Sequence, residues 1–385
     1  MMKKRNAKTM AMMGVMAAGM VMASAAPVSA ETVNANFTTH FDKYLVMDAE
    51  ANVPNVSFKY AVTAGKAQKA TAGHSAVLAG VDADKVTMAG VGTDTANTIA
   101  FKHGDATAQD ANALVKDYNE STEKYAKKTA TLDFSACHFT QPGVYRYVIT
   151  ESGTNQAVTN DADATRTVDV YVQETDDGLS VAGYVLHAAD DAVASNGTNP
   201  AGKSQGFTNA YDTSNLTIRK EVNGNQGSRD KYFKFTVKIT GAVEGTVYNV
   251  VTTGADSTVV SNSATDAAYV GKTNPTSITV GKGGSASVDF YLHHGQQVVI
   301  QGIAKDTKYD VSEVAEDYVS QPAGVVNYKD GVNGTVASDD LKTSYLNTRG
   351  GAIPTGVMMT VAPFAVVTLL GGAGAVTMTM KKKRQ

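Results

Sequence analysis

Apolar side chains recur at every second position in short stretches along this chain, the period of a half-buried strand. Phe41, Lys43, Leu45 and Met47 share one side of such a stretch; Tyr147, Ile149 and Glu151 share another, and Asn209 falls on the same side as Phe207. Leu216, Ile218, Lys220 and Val222 repeat the pattern, as do Tyr309, Val311 and Glu313, and Tyr345 with Asn347. Further strands are expected over Val144–Thr150, Thr167–Gln173, Tyr232–Ile239 and Val298–Ile303, rich in Val, Thr and Tyr and punctuated by Gly and Asn. Residues 107–128 could carry a short helix, through Ala111–Val115, although the apolar periodicity there is weak. The expected fold class is all-β, with two tandem β-sandwich domains.

The pattern also repeats on a larger scale. Lys43, Glu151 and Asn209 occur in that order in one half of the chain, and Lys220, Glu313 and Asn347 in the other. This sets domains at 31–210 and 211–350, with the boundary near Asn209–Asn215. In each half, alternation aims one Lys, one Glu and one Asn into an apolar core. Buried singly they would be costly, so they are expected to be partners. One reading is an ion pair with a hydrogen-bonded amide. The other is chemistry: apolar surroundings lower a Lys pKa and raise a Glu pKa. A neutral amine is a nucleophile, and a protonated carboxyl can polarise the Asn carbonyl. Attack of Lys Nζ on Asn Cγ would expel ammonia and leave an isopeptide bond. Such bonds would close loops of 166 (43 to 209) and 127 (220 to 347) positions, stabilising by roughly 4–5 kcal/mol if they act as disulfides do.

The two ends differ from the middle. Residues 1–30 read as a signal peptide, with Lys3, Lys4, Arg5 and Lys8 before an apolar run and Val28-Ser29-Ala30 as the cleavage site. Residues 351–385 hold Ile353-Pro354-Thr355-Gly356, an uncharged run from Val357 to Met380 long enough to span a bilayer, and a basic tail. Removing the eight basic groups of the two ends leaves 26 Lys and Arg against 37 Asp and Glu, a net −11 in place of −3. That charge disfavours nucleic acid or anionic lipid as a partner. Cys137, the single cysteine, cannot form an intrachain disulfide and reads as a core thiol between Phe134 and Phe139.

The order of short motif, apolar span and basic tail resembles a sortase sorting signal, which is cut between Thr and Gly. Pro354 directly before Thr355 departs from the usual Leu-Pro-x-Thr-Gly spacing and points to a dedicated enzyme. With Leu216–Val222, Asp133–Ser135, Pro142–Glu151 and the Lys–Glu–Asn sets, the chain resembles the Gram-positive sortase-assembled backbone pilins of the streptococcal pilin isopeptide linkage family. The resemblance implies two immunoglobulin-like, CnaB-type domains, each with a Lys–Asn bond (Lys43–Asn209, Lys220–Asn347) and a catalytic Glu (Glu151, Glu313). It also implies a covalent polymer in which Thr355 joins Lys203 of the next subunit. The partners would be a pilus sortase, other copies of the chain, minor pilins and peptidoglycan. The alternative is a single-copy wall-anchored adhesin or pilus-base protein with the same domains. No turnover enzyme, cofactor or metal is expected. Gly197–Ser204 matches a phosphate-loop pattern but leads into strand-like sequence, and His293-His294 reads as a turn.

Overall fold

The computed structural model describes residues 37–70, 72, 75–89, 97–176, 178–187, 204, 206–254 and 256–351. The signal-peptide and sorting-signal readings, Ile353 to Gly356, the phosphate-loop-like segment up to Lys203, and Lys203 itself lie outside the described residues.

Among the described residues the first half contains twelve strands. They are β1 (Thr38–Asp48), β2 (Val56–Ala64), β3 (Val77–Ala79), β4 (Thr87–Ala89), β5 (Thr98–Phe101) and β6 (Thr107–Ala108). After them come β7 (Glu123–Asp133), β8 (Gly143–Ser152), β9 (Val158–Thr159), β10 (Thr165–Thr175), β11 (Gly178–His187) and β12 (Gly206–Tyr211). One sheet runs β4-β7-β1-β12-β9 and the other β11-β10-β8-β2-β5. The alternation sends Phe41, Leu45, Phe58, Tyr147, Ile149 and Phe207 into one core between them.

The described residues of the second half form ten strands: β13 (Thr213–Asn223), β14 (Phe233–Thr240), β15 (Val247–Thr253), β16 (Ser277–Thr279) and β17 (Ser285–Leu292), then β18 (Gln297–Ala304), β19 (Lys308–Glu313), β20 (Val319–Pro322), β21 (Asn333–Thr335) and β22 (Leu341–Thr348). Its sheets run β16-β15-β18-β13-β22-β20 and β17-β14-β19-β21, around a separate core. In both halves the first strand pairs in parallel with the last, β1 with β12 and β13 with β22.

Residues 107–128 hold β6, turns and the start of β7, and no α-helix. Asn112 and Asn119 each accept a main-chain N–H two residues on, from Leu114 and Ser121. Such side-chain caps compete with helical hydrogen bonds. Val115 and Tyr125 then cover Tyr44 and Val46 on the outer face of β1, which is why both faces of that strand are buried.

The chain passes from one sandwich to the other at Asp212, which is held from both sides. Its N–H donates to Ala157 O (2.7 Å), and its carbonyl accepts from Lys305 N–H (3.0 Å). Asn52 Nδ2 donates to Val247 O and Asn249 Oδ1, while Asn249 Nδ2 donates to Glu50 O. A Cβ at Gly302, which has φ +69°, would lie 2.6 Å from Ala51 Cα. A glycine is therefore required where the halves meet.

Candidate functional site

Lys43 and Asn209 are brought together by one feature of the β1–β12 ladder. Lys43 stands opposite Phe207 and Leu45 opposite Asn209, so Lys and Asn face the same core two positions apart. A lysine side chain spans that stagger. Gly206 permits the approach, since a Cβ there would overlap Asp42 O at 1.6 Å. Glu151 reaches in from the opposite sheet. Its Oε2 lies 2.7 Å from Lys43 Nζ and accepts Tyr60 OH at 2.6 Å, while its Oε1 accepts Asn209 Nδ2 at 2.7 Å. Lys43 is 0 % exposed, Asn209 1 % and Glu151 7 %. Phe58 lies against Nζ, 4.2 Å from ring centre to nitrogen.

The second half repeats this plan in the same register, with Lys220 opposite Tyr345 and Val222 opposite Asn347. Lys220 Nζ donates to Glu313 Oε1 at 2.5 Å, and Asn347 Nδ2 donates to the same oxygen at 3.2 Å. Phe233 takes the place of Phe58, its ring centre 4.1 Å from Nζ. One difference is informative. Tyr60 pairs with Glu151 across β2 and β8, whereas the residue opposite Glu313 is Phe235. The missing hydroxyl is supplied from elsewhere, by Ser320 Oγ on β20, 2.7 Å from Glu313 Oε2.

Burial lowers the Lys43 pKa from 10.5 to about 8, with Glu151 opposing the shift, and lowers Lys220 to about 8 in the same way. Burial and the adjacent carboxylate hold Tyr60 well above its ordinary value, so its hydroxyl stays a donor. Were Lys to attack Asn, the nucleophile would be the neutral amine, whose fraction rises with pH until about 8. Joining of Lys to Asn is therefore expected to accelerate roughly tenfold per pH unit below that value and to level off above it. A time course of mass loss in freshly made chain checks this; a rate flat from pH 6 to 8 would remove the amine's ionisation as the controlling step.

All six core residues named from the alternation, Lys43, Glu151, Asn209, Lys220, Glu313 and Asn347, therefore fall into two compact sets. The expected contact between the carboxyl and the Asn carbonyl is made in neither set, since Glu313 meets the Asn347 nitrogen. Glu151 meets the Asn209 nitrogen, and the carbonyl oxygen Oδ1 accepts the main-chain N–H of Asp161 at 3.0 Å instead. Sequence reasoning missed Tyr60, Asp161 and Ser320. Tyr60 carried a signal in its alternation with Phe58; Asp161 and Ser320 sit in segments with no periodic pattern. Among the described residues no group of three or more His, Cys, Asp or Glu could hold a metal. His294 Nδ1 instead pairs with Glu221 at 2.8 Å. Cys137 is buried and free.

Comparison with known proteins adds the following. Residues 40–212 match the family described as Spy0128-like isopeptide containing domain, and residues 214–349 match a domain of unknown function, DUF7601. A protein named Pilin from Streptococcus pyogenes serotype M1 is 26% identical over 275 residues, 66% of this chain and 72% of that one. The crystal structure of the major pilin from Streptococcus pyogenes aligns with TM-score 0.48 and 19% identity, over 83% of this chain and 100% of that one. The major pilin T3.2 of serotype GAS13637 gives 0.47 and 20%, over 82% and 99%.

Proposed function

We propose, with residues 40–212 belonging to the Spy0128-like isopeptide-containing domain family, that this chain is a pilin: a structural subunit polymerised on the cell surface and stiffened by internal Lys–Asn bonds. The observation that carries the reading is the twofold Lys–Glu–Asn set, built in the same register across β1–β12 and β13–β22. A single buried ion pair would need no amide beside it, and two identical staggers argue for a shared reaction. Lys43 Nζ attacks Asn209 Cγ, the N–Cγ bond forms, the Cγ–Nδ2 bond breaks, and ammonia leaves. Glu151 lies against both nitrogens, positioned to take the proton from one and deliver it to the other. Lys220, Glu313 and Asn347 do the same in the second half. Each reaction happens once per molecule, so the protein is a product of its own chemistry and not a turnover enzyme.

Polymerisation is the second part of the proposal. A sortase dedicated to Ile353-Pro354-Thr355-Gly356 cuts after Thr355 and transfers its carboxyl to the Lys203 amine of the next subunit. The last subunit's link reaches peptidoglycan, and minor pilins join through the same chemistry. Supporting this choice of amine, the Gly-flanked Lys203 stands six positions before Asn209, where the polymer bond would be close to the internal one. Blots of wall extracts are expected to show a high-mass ladder that Lys203→Ala collapses to monomer when the cognate sortase is present. A ladder that persists in the variant assigns another amine, and a single band from the parent chain removes the polymer.

A further inference from the structure

We infer that Asp161 is a positioning residue of the first bond-forming centre, turning its own main-chain N–H into an oxyanion donor that the second centre lacks. The inference rests on the isopeptide reading above and concerns how the carbonyl is activated. When Nζ adds to Asn209 Cγ, negative charge develops on Oδ1, and a fixed donor aimed there lowers the barrier. Asp161 N–H is 3.0 Å from that oxygen. It is held there through its side chain: Asp161 Oδ2 accepts Arg166 Nη2 at 2.6 Å and the Thr208 N–H of β12 at 2.9 Å, while Oδ1 accepts Asp163 N–H at 3.0 Å. The carboxylate thus ties the turn after β9 to the strand that carries Asn209. The neighbouring Asn160 Oδ1 takes Asn209 Nδ2 at 3.2 Å, which fixes which end of the amide faces the donor.

Among the described residues the second centre has no counterpart. β20 lies beside β22 as β9 lies beside β12, but it runs on through Gln321 opposite Leu346 and does not turn inward. Among the described residues no donor reaches Asn347 Oδ1, although the atom is buried. Lys220 and Asn347 also share one oxygen of Glu313, whereas Lys43 and Asn209 occupy separate oxygens of Glu151. In the first centre Oε2 faces Nζ and Oε1 faces Nδ2, so the carboxylate can take up the one proton that Nζ gives up and return one proton to Nδ2, which leaves as ammonia while Glu151 ends ionised as it began. The covalent balance is the same in both centres: amine plus primary amide gives secondary amide plus ammonia.

The test follows both bonds in mature chain made by cell-free synthesis, quenched at intervals, digested and quantified as two cross-linked peptides. The Lys43–Asn209 bond is expected to form first. Asp161→Ala should slow it by roughly 100-fold and leave the Lys220–Asn347 bond at its parental rate. Asp161→Asn, which keeps an oxygen for the Thr208 N–H, should recover most of the loss. A spectroscopic measurement removes dependence on variant folding at Asp161. In the arrested chain Lys43→Met/Lys220→Met, which adds no donor beside either amide, the side-chain carbonyl carbon of Asn209 should resonate downfield of that of Asn347, because only the former accepts a hydrogen bond. Equal shifts, or an Asp161→Ala chain that closes its first bond at the parental rate, overturn the inference alone. A parent chain that never forms the first bond overturns the isopeptide reading together with it.

Discussion

Intact mature protein is expected to weigh about 34 Da less than its sequence, and Glu151→Ala to recover about 17 Da of that deficit, one ammonia per unformed bond. The same variant should be the most destabilising single change in the first domain. Loss of the link releases a loop of 166 positions, from 43 to 209, worth about 5 kcal/mol through the unfolded state if the bond acts as a disulfide does. Lys43 is then left at 0 % exposure without its carboxylate, which adds about 3 kcal/mol of the kind seen when one partner of a buried pair is removed. At roughly 2–4 °C per kcal/mol for a domain of this size, the midpoint should fall by about 15–30 °C. The second domain is the internal control, since its bond depends on Glu313. Mass spectrometry beside calorimetry separates the outcomes. An unshifted parental mass would leave only ion pairs, and a Glu151→Ala chain that keeps the full deficit would show that the carboxylate is dispensable.

Under tension between residues 203 and 355, Glu313→Ala is expected to lengthen each subunit by about 400 Å, while Glu151→Ala adds almost nothing. The load enters near Asn209, follows β12 through Asp212 into β13, and reaches Lys220. With the bond to Asn347 formed, it leaves directly along β22 toward Thr355 and never loads residues 221–346. Without that bond the whole segment can be drawn out, 127 positions from 220 to 347 at about 3.3–3.6 Å each, less the folded span. The proposed Lys43–Asn209 bond would sit beside this route and guard the first domain against thermal loss more than against stretching. Single-molecule pulling reads the difference as a length step. Equal steps for the two variants would show that force enters through the N-terminal strand.

The two centres show how much of a site an alternating pattern discloses. Lys43, Glu151 and Asn209 were legible because strand periodicity fixes which face each occupies, and the second set repeated them in order. The same alternation puts Arg219 on the opposite face from Lys220, where it pairs with Glu221 at 2.6 Å. Tyr60 and Ser320 were not legible. They give their carboxylates the same hydroxyl, but one comes from a neighbouring strand of Glu151's own sheet and the other from the strand beside Asn347. Asp161 was hidden more deeply, since a main-chain N–H has no sequence signature. Residues 107–128 differ in the opposite sense: Asn112 and Asn119 cap turns there, and of the apolar residues within Ala111–Val115 only Val115 packs on the outer face of β1, Ala111, Ala113 and Leu114 being exposed.

By itself the sequence determined the all-β class, the twofold plan, and the six side chains that must meet in a buried place. Those follow from periods of two along the chain and from the cost of burying charge, both local properties. Tertiary structure decided how they meet. It set the parallel pairing of first and last strands with a two-residue stagger, the choice of carboxylate oxygen for each nitrogen, and the presence of a carbonyl donor, among the described residues, in one domain only. These depend on register between strands more than a hundred residues apart and on where one edge strand ends, and no local pattern encodes either.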